Sequence, residues 1–163
     1  MAKNLKNIIY ASIFAAIICV VTMTAKIPAA GGYYHTGDAF VYLAGACLPF
    51  PYAIIAGAIG GSLADLFSGY AVYIVPTFII KACAAACFTS RAAHILCARN
   101  FIAVLAASAI TVGGYFVAGA ALYGFAGAAA NVYGDLGQAA AGAAVFAALG
   151  AAIDKAKIKQ RIF

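Results

Sequence analysis

The sequence predicts an all-α polytopic membrane protein with six transmembrane helices and both termini in the cytoplasm. The chain has 163 residues, of which 67% are apolar and 9% are charged, and it contains no Glu and no Trp. A soluble domain normally carries charge on about a quarter of its residues, so this composition excludes an ordinary water-soluble protein. Six spans of about 20 residues would use about 120 positions. We therefore expect a single membrane domain over residues 1–163, with no room for a soluble catalytic domain.

Each predicted span is an apolar run that ends at Gly, Pro or charged residues. The first run stops before Pro28, and the second closes at Pro49 and Pro51. Pro76 lies in the first turns of the fourth span, where a missing amide donor costs least. A small-residue loop at 124–130 separates the last two spans. The six spans cover approximately residues 7–26, 37–49, 52–68, 72–90, 101–124 and 131–153.

The cations predict the orientation, because cytoplasmic loops of membrane proteins carry an excess of Lys and Arg. With the N-terminus inside, the inner segments are residues 50–51, 91–100 and 154–163, and the outer loops are residues 27–36, 69–72 and 124–130. Eight of the ten cations then lie at the inner side, namely Lys3, Lys6, Arg91, Arg99, Lys155, Lys157, Lys159 and Arg161. We interpret the basic tail as a topology signal and a lipid-headgroup anchor, and we expect no nucleic-acid partner.

A cleaved signal peptide over residues 1–30 is the rival interpretation of the first apolar run. Lys3 and Lys6 precede that run, and Pro28 to Ala30 resembles a processing region. The apolar core of about 18 residues is long for a signal peptide, whose apolar region has roughly 7–15 residues. Cleavage would leave five spans with the N-terminus outside.

Ionisable side chains within the predicted spans are candidates for function, because a charge in the hydrocarbon is costly. Four of them fall in the outer half of the bundle: Asp38, Asp65, Lys81 and Asp135. A structural ion pair between Asp65 and Lys81 is the alternative to a role in solute binding. Asn131, Asp135 and Gln138 fall at i, i+4 and i+7 on one face of the last span, and such a polar stripe must face protein, water or a ligand.

Most of the tyrosines also lie near the predicted outer face, beside His35 in the first outer loop. An interfacial aromatic belt would place tyrosines at both faces alike, so the asymmetry favours an outward-facing pocket with stacking walls. The residues predicted to bind a substrate are Tyr33, His35, Asp38, Tyr73, Lys81, Tyr115, Asn131, Asp135 and Gln138.

The sequence gives little support to catalysis or to metal binding. Without Glu, acid–base chemistry falls to four Asp and two His, and the predicted topology places His35 and His94 on opposite sides. Cys83 and Cys87 lie at i and i+4 on the fourth span, where two thiols without further ligands favour packing over chelation. No glycine-rich phosphate loop is present. We expect no enzymatic activity, no metal and no cofactor, and any ATP hydrolysis would belong to another subunit.

Several motifs resemble the S components of energy-coupling factor (ECF) transporters, within the riboflavin-type group. They are His35-Thr-Gly-Asp-Ala-Phe40, the Gly/Ala-rich run 56–66 with Asp65, Ser68-Gly-Tyr70 and Pro76-Thr-Phe-Ile-Ile-Lys81. Ala11 and Ala15 match the AxxxA motif that such proteins carry on their first helix. The likeness in length and span count covers residues 5–155, and the distinctive motifs lie within 35–81.

The resemblance implies the substrate-binding subunit of a micronutrient importer in the bacterial cytoplasmic membrane. Such a subunit captures a vitamin or a related planar heterocycle outside and releases it inside by toppling with a coupling subunit. Ala11 and Ala15 would dock that coupling subunit, and two ATPase subunits would complete the transporter. The solute stays open among riboflavin, a pyridoxine or pyrimidine precursor, and a deazapurine such as queuine. The alternative is a stand-alone carrier or channel that uses Asp65, Lys81 and Asp135 as a relay.

Overall fold

The computed structural model describes residues 2–29 and 32–162, and the side chains of residues 4–27 and 34–162. The elements in chain order are α1 (Ala2–Thr24), β1 (Lys26–Ala29), β2 (Gly32–His35), α2 (Asp38–Cys47), α3 (Phe50–Ser68), a 3-10 turn (Ala71–Tyr73), α4 (Ile74–Ala86), α5 (Ala98–Lys155) and α6 (Ile158–Ile162). By length and composition, three of the described helices are able to cross a membrane, namely Asn4–Thr24, Phe50–Ser68 and Ala98–Lys155. The chain is therefore a helical membrane protein.

Helix α5 is two helices joined by a sharp turn at Gly124. The backbone of Gly124 has φ 80° and ψ 166°, a conformation that glycine adopts without strain. A Cβ built on Gly119 would lie 3.6 Å from the Cα of Ala128. Nine residues of straight helix would separate these two positions by about 13 Å, so the chain folds back on itself between them. The rings of Phe116 and Phe125 likewise lie 5.5 Å apart across the turn. Six apolar helical segments thus occupy the positions of the six predicted spans. That all six cross the membrane stays a prediction.

Two of the predicted loops are structured. The predicted outer loop at 27–36 contains an antiparallel hairpin in which Lys26 of β1 pairs with His35 of β2, so the all-α description omits one small sheet. The predicted loop at 124–130 is wrong beyond Gly124, because residues 125–130 are helical. Their alanines have the highest helix propensity of any residue, and only the positive φ of Gly124 interrupts the helix.

Helix α2 lies at the centre of the bundle. All of its residues except Phe40 are buried, and it contacts α1, α3, α4 and α5. Ten residues rise about 15 Å, roughly half of the hydrocarbon thickness, so neighbouring helices must cover what this helix cannot span. Tyr42 of α2 stacks on Phe88 with a centroid distance of 5.0 Å and meets Phe146 of α5 edge-on at 6.0 Å.

Small residues on α3 set its distance from α1 on one side and from α4 on the other. A Cβ at Gly60 would lie 2.7 Å from the carbonyl oxygen of Ala15 in α1. On the neighbouring stripe, a Cβ at Gly57 would lie 3.2 Å from the carbonyl oxygen of Lys81 in α4. Close backbone approach of this kind drives helix association in lipid, where the hydrophobic effect between helices is absent.

Polar contacts close the end of the bundle opposite to the hairpin. The carboxylate of Asp154 accepts hydrogen bonds from the amides of Ile95 and Leu96 at 2.8 and 2.9 Å. Lys159 of α6 donates to the carbonyl oxygen of Ala92 at 2.7 Å. The two segments that carry most of the predicted cytoplasmic cations therefore share one end of the molecule.

Replacing Gly60 by Ala should destabilise the protein by about 1–3 kcal/mol, because the added methyl group meets helix backbone that cannot move aside locally. Gly113→Ala is the matched control, since a Cβ there meets nothing within 4 Å. That control should be neutral or stabilising by up to about 1 kcal/mol through helix propensity. Thermal unfolding in detergent micelles measures both, and equal melting temperatures would contradict this packing.

Candidate functional site

A buried ion pair joins α2 to α4 in the half of the bundle that carries the hairpin. Lys81 of α4 pairs with Oδ1 of Asp38, the first residue of α2, and their side chains are 2% and 1% exposed. Gln138 of α5 donates to Oδ2 of Asp38 at 3.0 Å. Three helices therefore meet at one carboxylate, and neither charge is left without a partner.

The sequence favoured Asp65 as the structural partner of Lys81, and the structure places Asp38 there instead. Gly61 of α3 explains the choice, because a Cβ at this position would lie 3.0 Å from Cγ of Lys81. The lysine stem therefore runs along the bare backbone of α3 and reaches α2. Asp65 is itself buried on α3, one turn beyond Gly61.

Strand β2 lies across the polar stripe on the second half of α5. The hydroxyl of Tyr34 donates to Oδ1 of Asn131 at 3.2 Å, and the amide of His35 donates to Oε1 of Gln138 at 3.2 Å. The ring of Tyr34 packs directly on Gly134, in space that any Cβ at that position would occupy. Hydrogen bonds from Tyr34 and His35, together with this close contact, thus hold the hairpin over the stripe.

His35 anchors the junction between the hairpin and α2. Its Nδ1 accepts a hydrogen bond from the amide of Gly37 at 3.1 Å. Burial lowers the pKa of His35 to about 4, so the imidazole is neutral near pH 7 and Nδ1 carries a lone pair for this bond. A Cβ at Gly37 would collide with the side chain of Thr22, so the junction also packs tightly on α1.

Tyrosine rings form one wall beside the ion pair. Nζ of Lys81 lies 5.0 Å from the centroid of the Tyr115 ring, within the range of a cation–π contact. The hydroxyl of Tyr115 shares a hydrogen bond of 3.1 Å with Oγ1 of Thr77. Tyr73 lies 6.2 Å from Tyr115 and 6.3 Å from Tyr123 between ring centroids. This wall comes from the 3-10 turn and the first half of α5, and it offers aromatic faces to a planar molecule.

The structure brings most of the predicted substrate-binding residues together, namely His35, Asp38, Tyr73, Lys81, Tyr115, Asn131, Asp135 and Gln138. The side chain of Tyr33 lies outside the described residues. On the first helix, Ala11 is buried in the core and Ala15 is half-buried. The described residues bring no three His, Cys or Asp side chains together, so they offer no ligand set for a metal ion.

Residues outside the predicted set also shape this site. Tyr34 and Thr77 make hydrogen bonds within it, and a Cβ at Gly142 would lie 3.1 Å from Cβ of Asp38. Gly134 and Gly142 lie four residues before and four residues after Gln138. This spacing is visible in the sequence and could have identified the surface that β2 and Asp38 approach. Small residues in register with a polar stripe indicate that another backbone approaches the stripe closely.

Replacing Lys81 by Met should destabilise the protein by about 3–5 kcal/mol, because Asp38 would then be a buried charge without a partner. Adding Asp38→Asn in the same chain should recover much of that loss. Lys155→Met, at an exposed position of α5, should change the free energy of unfolding by less than about 0.5 kcal/mol. Unfolding in detergent by SDS titration measures all three, and a double variant as unstable as Lys81→Met alone would contradict the pairing.

The comparison with protein families agrees with this architecture. The family model described as "ECF-type riboflavin transporter, S component" matches residues 2–155, which include the hairpin and every residue of the site described above. No curated protein matches the chain. The resemblance to S components is thereby confirmed, and with it a role in transport as a membrane-embedded substrate-binding component. The chain belongs to the ECF-type riboflavin transporter S component family.

Proposed function

We propose that this chain captures a planar heterocyclic micronutrient at its outer face and releases it inside by toppling in the membrane together with a transmembrane coupling subunit. Two ATPase subunits would drive the cycle. Family membership supports a small-molecule substrate and transporter partners in general. The observation that supports capture at this face is the position of the hairpin. Hydrogen bonds of Tyr34 and His35 hold it over the polar stripe of α5. Opening these hydrogen bonds would expose the stripe to solvent.

The chemistry beneath the hairpin suits a planar heterocycle. The rings of Tyr73 and Tyr115 supply apolar faces, and tyrosine also retains a hydroxyl for a polar edge. A closed site of this kind gains affinity by burying most of the ligand surface, while a few fixed polar groups set its orientation. Riboflavin, a pyridoxine or pyrimidine precursor and a deazapurine all fit this description.

The distribution of polar groups supports a location in the bacterial cytoplasmic membrane with both termini inside. The proposed binding residues lie at one end of the bundle, and hydrogen bonds of Asp154 and Lys159 to the segment 91–97 close the other end. An excess of Lys and Arg marks the cytoplasmic side. The binding site would then face outward, as capture from outside requires.

Docking through Ala11 and Ala15 stays a proposal, and the structure suggests where on α1 to test it. Ala11 packs into the core, and Gly60 of α3 covers the backbone of Ala15. The adjacent small residues Ser12 and Ala16 are exposed on the same helix. A bulky residue at Ala11 would disturb the fold itself, so Ala16 is the cleaner position for a steric probe.

Proteoliposomes that contain only this chain should bind the molecule that co-purifies with it but should not accumulate that molecule. Addition of the coupling subunit, the ATPase subunits and ATP should produce uptake. Ala16→Trp should abolish this uptake and leave binding unchanged, because the new side chain blocks an exposed docking face. Ala106→Trp, at an exposed position of α5, should change neither. Repeated ATP-independent transport by the chain alone would overturn the proposal in favour of a stand-alone carrier.

A further inference from the structure

The polar stripe of α5 contains one residue whose bonding is incomplete. Asn131 and Gln138 each accept a hydrogen bond from the hairpin. Asn131 also donates to the carbonyl oxygen of Gly127, and Gln138 donates to Asp38. Asp135 lies between them on the same face and is only 8% exposed. No described residue forms an ion pair with its carboxylate or donates a hydrogen bond to it.

The hairpin brings Tyr34 close to this carboxylate without bonding to it. The hydroxyl of Tyr34 donates to Asn131, one turn before Asp135. Burial raises the pKa of Tyr34, and the negative charge of Asp135 raises it further. Asp135 therefore lies under the hairpin beside the residues that hold it closed, rather than on the lipid-facing side of α5.

The charges around Asp135 give its carboxylate only longer-range attraction within the described chain. Lys81 lies within electrostatic range of Asp135, but its ammonium group is already paired with Asp38. His35 is neutral near pH 7, as described above, and Asp65 adds a further buried acid on α3. A carboxylate that is largely withdrawn from water and has no ion-pair partner is costly to bury, so a partner from outside the chain would stabilise this arrangement.

We infer that the bound solute supplies this partner, presenting to Asp135 an N–H edge or a cationic nitrogen and no negative charge. The inference rests on the proposed function and narrows its substrate class. Asp135 accepts the hydrogen bonds, Tyr73 and Tyr115 cover the ring faces, and Asn131 and Gln138 position the hairpin rather than contact the solute. A carboxylate or phosphate on the solute would face Asp135 with no free cation beside it among the described residues, so acidic micronutrients are excluded.

The test uses the molecule that co-purifies with the full-length protein, extracted, identified by mass spectrometry and then titrated back as the probe. We expect a neutral or cationic heterocycle with N–H donors. Asp135→Asn should weaken its binding by about 10- to 100-fold, the range for hydrogen bonds to a charged group. Asp154→Asn makes the same change near the C-terminal end of α5, away from the hairpin, and should alter affinity by less than about 3-fold.

Each result decides between the inference and the function on which it rests. If the extracted molecule carries a carboxylate or phosphate group, the inference is overturned and the proposed function is left intact. This outcome does not depend on whether Asp135→Asn folds. Binding by Asp135→Asn equal to that of the unaltered protein would overturn it as well. A protein with no bound molecule and no energised uptake would overturn the proposed function, and the inference with it.

Discussion

The half of this protein that carries the hairpin depends on the ion pair between Asp38 and Lys81. In a bundle with so few charges, each of these groups is stable only because the other lies beside it. Since Asp38 is the first residue of α2, the pair also determines where the hairpin ends and the central helix begins. Gln138 then attaches α5 to the same carboxylate, so one interaction positions the hairpin, the central helix and the polar stripe together.

Bare backbone makes this arrangement sterically possible. Gly61 lets the stem of Lys81 pass along α3, and Gly134 and Gly142 let Tyr34 and Asp38 approach α5. These glycines do not relieve unusual backbone angles, because they lie within regular helix. They contribute by lacking a side chain, which lets neighbouring groups approach the helix backbone closely. In lipid, where no hydrophobic effect drives helices together, such close packing stabilises their association. Among the described residues of the polar stripe, Asp135 has no ion-pair or hydrogen-bond partner, and the proposed contact with the solute rests on this gap in its bonding.

The sequence predicted the helical segments and the cluster of polar groups near one face, because hydropathy and charge placement are local properties of the chain. It missed the hairpin, since strands of four residues with Pro28 and the pair Tyr33 and Tyr34 show no alternation to detect. It also misjudged the partner of Lys81, because sequence proximity favoured Asp65 and only the bare surface at Gly61 directs the side chain to Asp38. Which polar groups remain unpaired follows from the folded arrangement alone.

If closure of the hairpin on α5 retains the solute, the dissociation rate of the co-purifying molecule will depend on how tightly Tyr34 packs on Gly134. Gly134→Ala places a methyl group where the ring of Tyr34 lies, whereas Gly137→Ala on the same helix meets nothing within 4 Å. Alanine suits helix better than glycine at both positions, so helix stability does not separate the two variants. The account predicts dissociation at least about 10-fold faster for Gly134→Ala, equivalent to a loss of about 1.4 kcal/mol, and an unchanged rate for Gly137→Ala. Equal rates for the two variants would contradict it.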